Sequence, residues 1–304
     1  MRVRVGAVLL DAAAPFEPLL DVVGSARYAE RVGLDSLWAG EHLVLADAQL
    51  LDSTLTLAAA AAVTHEIGIG SAVFLPSLRP LVWAARLVAT LSHLAAVRLE
   101  LGVGVGAGPE QEYLAAGQRR EDRGRRTDEF LQALPGLLAG NPVRVGAGDE
   151  LTTVRLLPSE AVPTVWIGGS SPAALARTVR FGDGWLGAFV TPAEFAATGG
   201  RLRELADAAG RPMPRLGLVT HAGIGPVDDR LLLESAVAVL RSSYGLPRDR
   251  AEQLAVAGSP ARVADRFAEY TAHGAEHLVV INDRGPWQQA CDLLAATRGL
   301  VAEP

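Results

Sequence analysis

Glu41 and His42 close the apolar run "DSLWAGEH". The run reads as a strand, which sets the pair at the strand's C-terminal end. An imidazole there can donate a hydrogen bond to a ring nitrogen, or exchange a proton with a substrate near neutral pH. His221 stands late in another apolar run, "RLGLVTHAGI", and faces the same end. A different chemistry is offered by "IGGSSPAALAR". Gly168 and Gly169 let backbone N–H groups approach an anion. The Ser170 and Ser171 hydroxyls donate, and the helix opening at Pro172 favours negative charge at its start. The same parts also make a capped turn and nothing more, with Ser171 as N-cap and Pro172 as first helical residue.

The stretch "LELGVGVGAGPEQEY" carries glycine at 102, 104, 106 and 108. A dinucleotide loop needs G-x-G-x-x-G running into a helix, with an acidic residue about 20 positions on. The spacing here differs, and Pro109 follows it. Two readings remain. Either a strand packs tightly against its neighbours, or its end leaves room for a flat ligand. Glu110, Glu112 and Tyr113 are then an acid or base beside that ligand, or the charged first turn of a helix.

Composition removes several classes. The 304 residues carry a formal charge of −6, without the basic footprint of a nucleic-acid binder. All 28 basic residues are arginine. Schiff-base, pyridoxal-phosphate and P-loop lysines are therefore excluded. One cysteine, Cys291, excludes an internal disulfide and any multi-cysteine metal site, and no metal is expected. No apolar run reaches the length of a membrane span, and the first residues read as a strand rather than a signal peptide. A cytoplasmic protein acting on a small molecule, with no nucleic-acid or membrane partner, is expected.

Eight apolar runs position these candidates, at 3–9, 35–40, 67–73, from 99 onward, 163–169, 184–189, 215–224 and 276–282. Helical patterns alternate with them, at 16–31, 50–64, 81–94, 128–140, 172–181, 192–209, 229–244, 260–273 and 287–298. The strands lack strict alternation, as expected of parallel strands buried on both faces. Eight such units predict a single α/β domain over 1–304, a (β/α)8 barrel, with a short insertion near 141–162.

Five motifs in order resemble the bacterial luciferase-like superfamily of flavin- and deazaflavin-dependent oxidoreductases. They are "ARYAERVGLDSLWAGEH", "IGIGSAVFLPSLRP", "RLELGVGVGAGPEQEY", "VPTVWIGGSSPAALARTVRFGDGWLG" and "GSPARVADRFAEYTAHGAEHLVV". The resemblance runs over essentially the whole chain. The resemblance implies a luciferase-like TIM barrel, usually a homodimer, with FMN or the deazaflavin coenzyme F-420 at its C-terminal mouth. It places the cofactor phosphate on Gly168, Gly169, Ser170 and Ser171. His42, with Glu41 beside it, comes near the reactive ring face as the catalytic pair. A non-proline cis peptide after strand three falls at Ala72–Val73. Strand four then clears space for the ring, lined by Val103, Gly104, Gly106 and Gly108.

There are departures. The position of a proton-donating Glu in some deazaflavin members falls at Gly108. The lysines that hold a sugar phosphate in others have no counterpart. His221, Arg284 and Trp287, in or beside the loops after strands seven and eight, are the substrate candidates. The expected reaction is hydride transfer between coenzyme F-420 and a small organic substrate. The alternatives are an FMN-dependent monooxygenase using reduced flavin and oxygen, and a non-catalytic flavin-binding barrel.

Overall fold

Each of the eight apolar runs becomes a strand of one closed parallel sheet. The computed structural model describes residues 2–9, 12–13, 19–44, 49–146, 151–226, 228–282 and 285–301. The strands are β1 (Arg4–Val8), β2 (Ser36–Ala39), β3 (Gly68–Phe74), β4 (Leu99–Val103), β5 (Thr164–Gly168), β6 (Gly184–Ala188), β7 (Arg215–Ile224) and β8 (Ala275–Asn282). Each pairs in parallel with the next, and β8 returns to β1 with Val5 opposite Leu278. The fold is a (β/α)8 TIM barrel.

The helices are α1 (Val22–Arg31), α2 (Ser53–Val63), α3 (Leu81–Ala95), α4 (Glu110–Ala115), α5 (Arg123–Leu138), α6 (Pro172–Phe181), α7 (Pro192–Ala208), α8 (Asp229–Tyr244), α9 (Arg248–Leu254), α10 (Pro260–Thr271) and α11 (Trp287–Leu300). Their starts are written locally. Asp21, Asp52, Ser171, Thr191, Asp228 and Ser259 each accept a backbone N–H of the first turn. Such caps satisfy donors that the helix itself leaves orphaned. The helices that follow the strands therefore begin at the C-terminal mouth, with their positive ends towards it.

Two apolar layers hold the barrel. One lies between strands and helices, with Leu37, Ile69, Leu101, Ile167, Leu218 and Leu278 facing out from the sheet. The other fills the interior with Val8, Trp38, Trp166, Leu186 and Val279. The indoles need glycine partners. A Cβ on Gly70 would stand 2.4 Å from the Trp38 ring, and one on Gly184 equally close to Trp166. Large faces small in this interior, which is how a narrow barrel reaches crystal-like packing density.

The structure adds detail to the sequence pattern in four places. β4 stops at Val103, because Gly106 turns into a left-handed backbone with φ of +82°. The arginine-rich run "RREDRGRRTDE" supplies a 3-10 turn and the first residues of α5, Arg123 to Glu129. α8, α9 and a short strand (Val256–Gly258) form an insertion between β7 and α10, with its own small core around Val237, Leu240 and Leu254. Residues Val143–Val145 and Thr152–Val154 pair as an antiparallel ribbon beside the barrel.

Candidate active site

Glu41 and His42 follow β2 directly, and the structure gives them different work. The Glu41 carboxylate is buried, accepts the Leu75 N–H and is ion-paired with Arg79. Burial pushes its pKa up from the usual carboxylate range, while Arg79 and the Leu75 N–H oppose that rise. Arg79 in turn lies over the Phe74 ring at 4.9 Å, and its carbonyl accepts from Arg126 Nη2 at 2.9 Å. Glu41 thus staples the end of β2 to the loop after β3. His42, with 40% of its side chain exposed, is the member of the pair that reaches the mouth.

Beneath His42 lies Glu112, on the first turn of α4. Its side chain has no solvent exposure, and its Oε1 lies 3.5 Å from His42 Nδ1. The same oxygen accepts the Leu43 N–H at 2.8 Å. Oε2 is buried, with no hydrogen-bond partner among the described residues. Gly108 makes room for it, since a Cβ there would stand 1.9 Å from Oε2. Tyr113 donates to the Val105 carbonyl at 2.7 Å and fastens the glycine-rich loop over this turn. The sequence left Glu112 between two readings; the fold makes it a buried carboxylate against the imidazole.

The glycines after Leu101 now have their reason. The Ala72–Val73 peptide is cis, and the β3–β4 register shifts between Ser71 and Phe74. Ala72 and Val73 bulge inward and stay half-buried. A Cβ on Gly104 would meet Val73 Cγ2 at 2.5 Å, and one on Gly168 would meet Val73 Cγ1 at 3.1 Å. A Cβ on Gly102 would stand 2.0 Å from the Ser71 carbonyl oxygen, and one on Gly106 would stand 2.3 Å from the Tyr113 hydroxyl. The space expected for a ring is filled by the protein's own atoms. These glycines admit the β3 bulge and the α4 turn, and the bulge is what they present to the mouth. Val103 is fully buried in the layer against the helices, so its side chain points away from the mouth.

The Gly168–Ser171 turn joins β5 to α6. Gly169 has φ of +101°, and its carbonyl is pinned by Trp185 Nε1 at 2.8 Å. Ser171 Oγ accepts the Ala174 N–H at 3.2 Å. Gly169, Ser170 and Ser171 are exposed. An exposed helix start with a left-handed glycine and a spare Ser170 hydroxyl has the donor set an anionic group requires. A flavin or deazaflavin phosphate fits these residues.

The substrate candidates separate. His221 is buried near the end of β7, with Nε2 2.9 Å from the Tyr244 hydroxyl. Trp287 opens α11 and donates from Nε1 to the Ser25 carbonyl at 3.0 Å, tying α11 to α1. Arg284 lies outside the described residues. Sequence reasoning missed Phe189 and Tyr244, which join His221 in space. A lone aromatic at a strand end and one at a helix end give no signal of meeting.

A Ser–His–Glu line inside the barrel is a structural network. Ser36 Oγ lies 2.7 Å from His277 Nε2, and His277 Nδ1 lies 3.5 Å from Glu100 Oε2. Trp38 Nε1 donates to Ser36 Oγ, Trp166 Nε1 donates to Glu100, and Arg4 is ion-paired with Glu100. All of Ser36, His277 and Glu100 are buried, and a Cβ on Gly6 would already stand 2.1 Å from Ser36 Oγ. No acyl group can reach that hydroxyl. Burial pushes His277 below its usual pKa, against the pull of Glu100. Burial works to raise Glu100, but His277 and Arg4 outweigh it and hold the carboxyl at about 2.

A family model described as luciferase-like monooxygenase matches residues 4–230. An uncharacterized protein of Mycobacterium tuberculosis is 29% identical over 166 residues, 54% of this chain and 57% of that protein. The chain thus matches little more than half the length of that relative. An F-420-dependent glucose-6-phosphate dehydrogenase of Beutenbergia cavernae is 27% identical over 309 aligned positions, 87% of this chain and 88% of that one. Among solved structures, an F-420-dependent secondary alcohol dehydrogenase with an F-420–acetone adduct superposes with a TM-score of 0.84. The FMN complex of the oxygenating constituent of 3,6-diketocamphane monooxygenase from Pseudomonas putida superposes at 0.82. Each is 18% identical and covers 100% of both chains.

Proposed function

The chain belongs to the luciferase-like monooxygenase family, and from that premise we propose that it is an oxidoreductase exchanging hydride between coenzyme F-420 and a small organic substrate. The observation that carries this is the joint placement of His42, the Val73 bulge and the Gly168–Ser171 turn around one barrel mouth. The likeness to an F-420-dependent dehydrogenase over most of both chains supports the choice of cofactor.

When bound, the deazaflavin supplies hydride exchange at its ring. The chain does the rest. Gly169, Ser170 and the α6 start hold the phosphate. Val73 gives the ring an apolar rest. Glu112 faces Nδ1 of His42, which leaves Nε2 to donate to, or take a proton from, substrate or ring. Glu41 and Arg79 keep the His42 loop in place.

A second copy of the chain is proposed to cover α2 and α3, where Leu55 and Trp83 are 69% and 67% exposed. Leu81–Arg98 matches a membrane span in length and mean hydropathy, 1.2 over 18 residues. It nevertheless buries Ala84, Ala85, Val88 and Leu91 in the barrel's coat, and we read it as a dimer-face helix of a cytoplasmic enzyme.

The test is a parallel titration of cofactor-free protein with FMN and with coenzyme F-420, read by calorimetry. Micromolar or tighter binding of F-420 with weak FMN binding is the expected result. The reverse would replace this reading with an FMN-dependent monooxygenase, and oxygen consumption with reduced FMN would become the assay. Binding of neither would reduce the Gly168–Ser171 turn to a helix cap.

A further inference from the structure

Three rings from three elements meet on the rim of the mouth. Phe189 stands one residue beyond β6, His221 near the end of β7, and Tyr244 at the last position of α8. The Phe189 and Tyr244 centroids are 4.6 Å apart, and those of His221 and Tyr244 are 5.1 Å apart. Phe189 and His221 lie nearly parallel, at 23° and 6.4 Å. The hydrogen bond between His221 Nε2 and the Tyr244 hydroxyl fixes that tyrosine in the group.

Phe189 is the unexpected member. Its φ of +55° is a left-handed backbone that a bulky side chain adopts at a cost. Glycine would make the same turn without strain. The conformation is held by Arg250, which donates to the Phe189 carbonyl and pairs with Glu194, both at 2.8 Å. The ring so held is not buried in the core. Phe189 remains 38% exposed and Tyr244 44% exposed. Beside them, β7 and β8 contribute Val219 and Ile281, partly open above the interior cluster. The result is an aromatic wall over an apolar floor.

We propose that Phe189, His221 and Tyr244 form the wall on which the substrate's own flat ring packs, so that the substrate is an aromatic or conjugated ring compound rather than a saturated one. This rests on the reading of the mouth as a redox site, but on residues separate from those that would hold the cofactor. Ring faces reward a flat partner through offset and edge contacts. A saturated ring of the same polarity is thicker and has no π face. The wall is set before binding, because Arg250 holds Phe189 and His221 holds Tyr244, and little ordering cost is left to binding.

The test compares 2-naphthol with decahydro-2-naphthol, which share a hydroxyl but differ in flatness. Calorimetry is run on the full chain, first cofactor-free and then loaded with FMN or coenzyme F-420. The expected result is about tenfold tighter binding of 2-naphthol, the scale of one to two good ring contacts. Phe189→Gly and Tyr244→Leu should each erase that preference. Phe189→Gly should show a Tm equal to or above that of the parent, because the left-handed turn then suits its residue. Equal affinity for the two probes, or a preference that survives both substitutions, overturns the proposal. Loss of cofactor affinity in both variants also overturns it, by assigning the rings to the cofactor. If the parent binds neither cofactor, the redox reading fails, and the probe comparison on cofactor-free protein still decides the wall.

Discussion

His42 Nδ1 lies 3.5 Å from Oε1 of Glu112, a carboxylate with no exposure to solvent. The imidazole faces the mouth while the carboxyl group beside it is sealed beneath, under Gly108 and the Tyr113 tether. Replacing His42 by Ala should lower kcat by about 10²–10⁴-fold, the usual weight of a positioned acid or base, with cofactor affinity unchanged. Glu112→Gln still offers an oxygen to Leu43 N–H but removes the carboxyl group. A kcat loss of roughly tenfold with a small change in KM is expected, in line with the weight of an outer partner that orients a working histidine. Equal kcat in Glu112→Gln and the parent would make Glu112 a loop anchor only.

Arg79→Ala leaves the Glu41 carboxylate buried and without its cation. Breaking a buried pair from one side costs about 3–5 kcal/mol, and the Arg79 head is partly exposed, so the lower end is expected. Urea unfolding should show it as a lower midpoint at an unchanged m-value. Glu41→Gln with Arg79→Leu should recover much of the loss.

Gly104→Ala places a methyl 2.5 Å from Val73 Cγ2. Overpacking of this kind costs about 1–3 kcal/mol. Because Val73 can yield only towards the mouth or the Gly168 notch, cofactor affinity should fall along with Tm. A stable variant with full affinity would show that the bulge does not support the ring.

The two serines of the β5–α6 turn should part company. Ser171→Ala removes the α6 cap and should cost about 1 kcal/mol of stability. Ser170→Ala removes only an exposed hydroxyl, so Tm should hold while affinity for a phosphate-bearing cofactor drops. Loss of Tm but not of affinity in both variants would argue for a cap and no phosphate seat.

The interior network predicts the acid response. Glu100 titrates near 4.5 in the unfolded chain and at about 2 in the fold. Its stabilising share is complete above the higher value and is lost as pH falls towards the lower, on the order of 3 kcal/mol in all. His277 is also depressed, from 6.5, so the unfolded chain takes up its proton first and stability begins to fall below that pH. The two slopes share a sign. The urea midpoint should decline from about pH 6.5 downward, and Glu100→Gln should flatten the acid part of the curve. A midpoint independent of pH between these limits would remove the network from the stability of the barrel.

The architecture follows from local patterns along the chain. Eight apolar runs alternating with capped amphipathic stretches leave a barrel as the arrangement that buries every face, and Ser171-Pro172 or Thr191-Pro192 mark helix starts through local hydrogen bonds. Local periodicity and capping are nearest-neighbour physics, so they can be read residue by residue. What the glycines of the fourth run accommodate is not local. Val73 and the Ser71 carbonyl come from the neighbouring strand, and only the closed sheet brings them into the space a Cβ would occupy. The same holds for the division of labour between Glu41 and His42. Adjacent in sequence, they point to different partners, Arg79 and Glu112, because the backbone at the end of β2 sends one side chain under the β3 loop and the other to the mouth. The meeting of Phe189, His221 and Tyr244 is likewise tertiary, since packing across three elements depends on where chain segments cross.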